Sequence, residues 1–280
     1  MITATNPPST PRIDIYRYNP ETKGRDLVIS SLSALKTKDT VALQTYKAAQ
    51  DTISYYKNQF NRNSFDNKGA PINVVIGYQE SPGQPLNNAF WSSSDKTMYF
   101  GDGDGKLFTP LGTAADVFAH EFTHAVIDSE VNLTYRGQQG GVHENYSDIL
   151  ATGVDGNTMI GESVFTPHID GDSLRDLTNL PRNHVSKINS GETEPHIMGE
   201  PLSTAAMLAA KTIGLDKVQN IWYDSLVRGL KNQSGYAGVR DATIGSATIL
   251  YGAEVSATIQ QAWDAVGILG KNGSKEVNKG

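Results

Sequence analysis

The segment His120-Glu121-Phe122-Thr123-His124 carries two imidazoles four residues apart with a carboxylate between them. On an α-helix, positions i and i+4 lie on one face, so both rings can bind one metal ion. Glu121 projects beside them, where a carboxylate can take a proton from metal-bound water. The plain alternative is a buried helix with two hydrogen-bonded histidines. The helical setting and the apolar flanks Val117, Phe118, Ala125 and Val126 favour the metal site. A catalytic zinc needs a third protein ligand and keeps its fourth position for water. Glu144, 20 residues past His124, is the candidate, in Gly140-Gly141-Val142-His143-Glu144-Asn145-Tyr146-Ser147-Asp148. Asp148 shares its helix face and can accept the second N–H of a ligating imidazole. His143 competes as ligand, though Asp148 then loses its geometric sense. A Glu144 that only complements a helix N-terminus is the structural alternative.

These residues need a seam helix to hold them, and the pattern supplies one over Ala114 to Asp128. Before it, residues 12 to about 112 mix short β-like runs (Ile13 to Tyr16, Ile72 to Tyr78, Thr97 to Phe100) with turn signals. One helix interrupts them over Thr40 to Phe60, with Leu43, Tyr46, Ile53, Tyr56 and Phe60 at helical spacing. After the seam the texture is helical: Val142 to Val154, Pro201 to Thr212, Lys217 to Leu230, Val239 to Tyr251 and Ala253 to Ala265. The expected fold is therefore α+β. A sheet-rich N-terminal domain (1–112) and a mainly helical C-terminal domain (129–280) flank the active-site seam helix (113–128), with the zinc site in the cleft between them. The polar tail Lys271 to Gly280 is expected to fray.

Composition narrows the function classes. The 280 residues are 38% hydrophobic and 19% charged, enough apolar content for a buried core. There is no cysteine, which excludes disulfides, thiolate nucleophiles and Cys-ligated zinc. A formal net charge of −6 without any Lys/Arg cluster argues against nucleic acid as a partner. Leu202 to Ala210, the most apolar stretch, is too short to cross a membrane and is broken by Ser203 and Thr204. Met1 to Pro11 lacks a signal-peptide layout, which fits a mature, secreted form whose leader has been removed, with a cytoplasmic protein as the alternative.

The ordered set of motifs resembles the thermolysin-like zinc neutral proteases. It comprises Asn87-Asn88-Ala89-Phe90-Trp91, Tyr99 to Gly105, Asp116 to Asp128, Tyr135, Glu144 with Ser147-Asp148, Gly171-Asp172-Ser173-Leu174-Arg175, and His196. The resemblance covers roughly residues 40 to 268; the first 40 or so match poorly. It implies that His120, His124 and Glu144 bind one catalytic Zn²⁺ and that Glu121 is the general base. Tyr135 and His196 would donate hydrogen bonds to the oxyanion of the tetrahedral intermediate. Asn88 and the backbone of Ala89 would hold the peptide's amide groups by β-addition, with Trp91 on the same edge strand, and Arg175 would bind a substrate carbonyl. Phe108, Val117 and Leu174 would line an apolar pocket for the side chain after the scissile bond.

Two departures stand out. The family sets an Asp five residues before its catalytic histidine, where this chain has Gly191, leaving Glu192 or Glu194 to orient His196. Family members usually carry Asn where His143 precedes Glu144. The resemblance also implies calcium: Asp116, Asp155 and Glu162 match a family site, but the segment between the last two is about six residues shorter, so one structural Ca²⁺ is expected rather than two. Gly101 to Gly105 resembles an EF-hand fragment but has Leu107 and Thr113 where that loop needs Gly and Glu, so it reads as a hairpin turn.

The expected activity is that of a zinc metalloendopeptidase, cleaving peptide or protein substrates before apolar residues with zinc-activated water and a Glu base. A removed pro-segment of its own would be a further partner. Two alternatives remain. One is a catalytically impaired pseudo-protease or peptide-binding module that retains zinc, motivated by the surroundings of His196. The other is a zinc hydrolase of non-peptide substrates.

Overall fold

A computed structural model describes residues 10–30, 37–166, 169, 171–232 and 234–270. The expected fraying of Lys271 to Gly280 lies outside the described residues. The chain forms two compact units, Met1–Ser129 with Val154–Leu174, and Glu130–Gly153 with Arg175–Gly280. No helix among the described residues is long and apolar enough to cross a membrane.

The first unit holds a five-stranded sheet of order β2-β1-β3-β5-β4, built from β1 (Ile13–Asn19), β2 (Gly24–Ser30), β3 (Ile72–Ile76), β4 (Ala89–Ser92) and β5 (Thr97–Phe100). β1, β3 and β5 run parallel, and the outer strands β2 and β4 are antiparallel to their neighbours. The central run Ile72-Asn73-Val74-Val75-Ile76 is nearly continuous in β-branched residues, as a strand covered on both faces requires. β2 carries no clear apolar alternation, and its Gly24-Arg25-Asp26 start hides it from a reading of the sequence. Helix α1 (Thr40–Phe60) has the expected bounds. Asp39 caps it by accepting from Ala42 N–H at 3.0 Å, and Asn61 ends it in the left-handed region at φ 52°. Arg17 of β1 grips Asp39 with two nitrogens (2.7 and 3.0 Å) and Asp102 with a third at 2.8 Å.

Helix α2 (Ala115–Glu130) is buried at every position from Asp116 to Ile127. Phe118 stacks on Phe100 of β5 at 5.4 Å, and Phe122 meets Tyr56 of α1 edge-on at 5.0 Å. The Tyr56 hydroxyl and Thr123 Oγ1 lie 2.6 Å apart, so this buried hydroxyl on the helix is partnered.

The second unit is mainly helical: α3 (Gly137–Asp155, whose last two residues belong to the first unit), α4 (Pro195–Ile213), α5 (Leu215–Asp224), α6 (Tyr236–Tyr251) and α7 (Ala253–Ala265). Three expectations are corrected here. α3 begins at Gly137, five residues before Val142, because Gly140 and Gly141 serve close packing inside the helix rather than a turn. α4 begins six residues before Pro201: Pro195 occupies the first turn, where a missing N–H costs nothing, and Pro201 lies inside the helix. The expected Lys217 to Leu230 helix is α5 followed by a π turn over Ser225–Gly229, closed by Leu230 N–H on Ser225 O at 2.7 Å. Trp222 and Trp263 stack at 5.8 Å in the core of this unit.

Candidate active site

In the first unit, α2 presents His120 and His124 one turn apart, both buried, with their Nε2 atoms 3.1 Å from one another. Two ring nitrogens converging on one point from positions i and i+4 is the arrangement that a shared metal ion needs. Glu121, on the same helix between them in sequence, is also buried, at 6% exposure.

The edge strand β4 pairs with β5 from Ala89 opposite Phe100 to Ser92 opposite Thr97. Asn88, exposed, precedes it and accepts Gly101 N–H through its carbonyl at 3.0 Å. Trp91 is anchored to α2 by its indole N–H donating to Asp128 at 2.8 Å and packs on Phe65 at 5.4 Å. Val117 and Leu174 meet over Gly161, where an added Cβ would lie 2.5 Å from Leu174 Cδ1 and 3.4 Å from Val117 Cγ2. Phe108 packs edge-on to Phe165 at 4.9 Å. The 101–105 turn is organised by Asp104, whose Oδ1 accepts the N–H groups of Lys106 and Leu107 at 2.8 Å each. Those bonds hold its carboxyl well below the usual carboxylate range.

Also in the first unit, Asp116, Asp155 and Glu162 offer carboxylate oxygens all within 4.8 Å of one another. Burial, reinforced by the nearby charges of Glu162 and Asp155, pushes Asp116 up to about 6 against the pull of the Gly161 N–H. Asp155 is raised by burial and by Glu162. Glu162 Oε2 is buried without a hydrogen-bond partner. Asn157, which the sequence did not single out, donates its amide to Asp155 Oδ2 at 3.0 Å and Glu162 Oε1 at 2.7 Å.

In the second unit, Glu144 of α3 is 2% exposed. The Tyr135 hydroxyl donates to its Oε1, and His196 Nε2 lies 3.2 Å from its Oε2. His143 is buried and packs edge-on to the Tyr135 ring at 5.7 Å. Asp148 accepts two parallel bonds from Arg175, at 2.8 Å from Nε and 2.7 Å from Nη2. Asn145 locks α3 in place by accepting Trp222 Nε1–H at 2.8 Å and donating to Ser203 at 3.2 Å. His196 stands in the first turn of α4, and its Nδ1 lies 2.7 Å from Glu194 Oε1. Glu192 turns instead to the backbone, accepting from Thr193 and Glu194 N–H at 2.9 Å each. Of the two acids left open by the sequence, Glu194 is the one at the ring.

The approach of α4 to α3 depends on missing side chains. A Cβ on Gly141 would sit 2.6 Å from the Met198 carbonyl carbon, and one on Gly199 would sit 3.0 Å from Glu144 Cβ. Gly141→Ala should therefore push α4 away and cost about 1–3 kcal/mol of stability, measured by denaturant unfolding. An unchanged midpoint would show that the helices have room to give.

The chain belongs to the thermolysin metallopeptidase family. Residues 5–128 match the family described as thermolysin metallopeptidase, catalytic domain, and residues 131–268 match its alpha-helical domain. The match begins well before residue 40, earlier than the motifs indicated. The extracellular elastase of Staphylococcus epidermidis is 37% identical over 229 residues, covering 79% of this chain and 45% of its own length. The bacillolysin of Brevibacillus brevis is 36% identical over 251 residues, covering 82% and 46% respectively. The chain thus spans about half the length of the curated relatives it matches. Among solved structures, the precursor of protealysin, a metalloproteinase from Serratia proteamaculans, superposes with a TM-score of 0.82 at 26% identity, over 96% of this chain and 90% of that one.

Proposed function

We propose that this protein is a zinc metalloendopeptidase acting on peptides or proteins. The observation that carries the reading is the pair of buried, converging imidazoles of His120 and His124 with Glu121 beside them, in a chain of this family. Glu144, the third ligand that the family resemblance implies, would complete a donor set of two nitrogens and one carboxylate, the chemistry that suits a catalytic zinc. Zinc bound there would acidify a water molecule and polarise the scissile carbonyl.

The chain's own residues do the rest. Glu121 takes the proton of the attacking water and delivers it to the leaving amine. Tyr135 and His196, which share the Glu144 carboxylate, donate to the oxyanion as charge develops. Arg175 and Asp148 hold one another bidentately, so the guanidinium is pre-set to meet a substrate carbonyl. Asn88 and the Ala89 backbone hold an extended peptide along β4, beside Trp91. Phe108, Val117 and Leu174 supply the apolar surface that favours cleavage before Leu, Phe, Ile or Val. The intact Glu121 and the seated His196 support turnover over a zinc-retaining pseudo-protease. A quenched peptide with Phe or Leu after the scissile bond tests the reading directly. Cleavage should stop with a zinc chelator and return with added zinc; no cleavage by fully zinc-loaded protein would leave the pseudo-protease.

Asp116, Asp155 and Glu162 fit a single structural calcium, since three clustered carboxylates, one with a buried unpartnered oxygen, repel one another without a cation. Because the folded pKa of Asp116 is raised, its contribution to stability is fully present below the unfolded value near 4 and is lost as pH rises through about 6. Calcium should offset that loss. At a hundredfold excess over Kd it should add about 2.7 kcal/mol, and the gain in Tm should be larger at pH 8 than at pH 5. An unmoved Tm at both pH values, with zinc held constant, would remove the site. Secretion and a removed pro-segment complete the reading, supported by the relative named an extracellular elastase and by the protealysin precursor.

A further inference from the structure

We infer that the second unit carries a pocket for a primary ammonium group, the α-ammonium of an amino acid or short peptide whose first residue is apolar. A cleft of about 430 Å³ is lined by the end of α5, the π turn and α6. Small-molecule sites span roughly 300–1,000 Å³. Its room comes from α6. Gly238, Ala242 and Gly245 share one helix face and put nothing beyond a Cβ into the cleft. A Cβ built on Gly245 would meet no atom within 4 Å. Small residues alone would make only a dent; what makes a site is Asp224. This last residue of α5 lines the cleft and is 9% exposed. Arg228, one turn on, pairs with its Oδ1, while its Oδ2 is buried without a hydrogen-bond partner. A buried charged oxygen left unpaired destabilises the fold, and a ligand that donates N–H groups to it offsets that cost. A metal ion does not fit. Hard cations take about six to eight oxygens, and no set of three ligating side chains among the described residues includes Asp224. An ammonium fits, since it brings N–H donors and a positive charge together. The other lining residues select what carries it. Ile249, 72% exposed, and Ala242 offer apolar surface to an aliphatic side chain. Arg228 and Lys231 bring positive charge to the same cleft, which disfavours a polyamine and suits a carbonyl or carboxylate next to the ammonium. Cleavage before Leu, Phe, Ile or Val releases peptides that begin with such a residue and carry a new α-ammonium. Under the proposed activity, on which this part of the inference rests, the ligand is therefore the enzyme's own product class.

Calorimetric titration of the zinc-loaded protein with leucinamide tests the pocket, below the α-amino pKa of about 8 so that the probe is charged. Leucinamide is expected to bind saturably. It should also shift the Gly245 amide resonance of ¹⁵N-glycine-labelled protein, assigned by its absence in Gly245→Leu. Asp224→Asn keeps an acceptor for Arg228 but removes the buried charge. It should weaken binding about tenfold or more, with Tm at or above wild type. Gly245→Leu fills the cleft from a position with open space around it, and should abolish the binding heat while Tm holds. Two further probes check the chemistry: 4-methylpentanamide lacks the ammonium, and Nα-acetyl-lysinamide carries it at the end of a side chain. Each should bind about tenfold more weakly than leucinamide, or not at all. The inference is overturned if leucinamide does not bind, if its affinity is the same in both variants, or if either further probe binds as well. Should Asp224→Asn fail to fold, Gly245→Leu decides alone. A protein that binds leucinamide in this cleft yet cleaves no peptide keeps the pocket and loses the proposed function; cleavage without binding does the reverse.

Discussion

Glu121→Gln should abolish nearly all peptide cleavage while leaving zinc content and fold intact. The amide has the size of the carboxylate and can occupy its buried place on α2, but it cannot accept a proton from the attacking water. Loss of a general base removes about 10²–10⁴-fold in rate. The substitution neither opens a cavity nor strands a charge, so Tm should hold to within a few degrees. Activity within about threefold of wild type would assign the base elsewhere.

Glu144→Ala should fail differently, by losing the metal. Glu144 is almost wholly buried, and its two oxygens are engaged by Tyr135 and His196. Removing a ligand from a three-residue set lowers zinc affinity steeply; even the outer partners of such ligands are worth about 10–100-fold. Metal analysis of purified protein should show zinc well below one equivalent, with activity recovering only at high added zinc. Full zinc content would move the third ligand, with His143 first in line. His143 is buried against the Tyr135 ring, so a double substitution with Ala at 143 and 144 would then be needed to empty the site.

Much of this was legible because the chemistry repeats at short, fixed intervals. His120 and His124 share a helix face whatever the tertiary structure, and Glu144 follows in a second amphipathic run. What was not legible depends on contacts distant in sequence. Gly140 and Gly141 carry the ordinary signature of a turn; only the proximity of Pro195 and Met198 shows that they are packing glycines inside α3. Pro201 looks like a helix start because proline is common there, and Pro195, six residues earlier, turns out to fill that position. Glu192 and Glu194 are equivalent as letters near His196. What separates them is that Glu192 serves a local backbone turn while Glu194 stands at the cap of α4. Asn157 and Asp128 drew no notice because their value lies in bridging Asp155 to Glu162 and in holding Trp91.

The first unit is discontinuous: it closes only when Val154–Leu174 joins Met1–Ser129. During vectorial synthesis the sheet and α2 therefore emerge before Asp155 and Glu162, the two carboxylates that accompany Asp116. Until the ribosome has released residue 174, a nascent chain holds Asp116 without the Gly161 N–H that donates to its carboxylate and without Leu174 beside Val117. A stalled or truncated product ending near Ser129 should be an aggregation-prone intermediate rather than a small independent domain, because the segment that completes its unit has not yet been made.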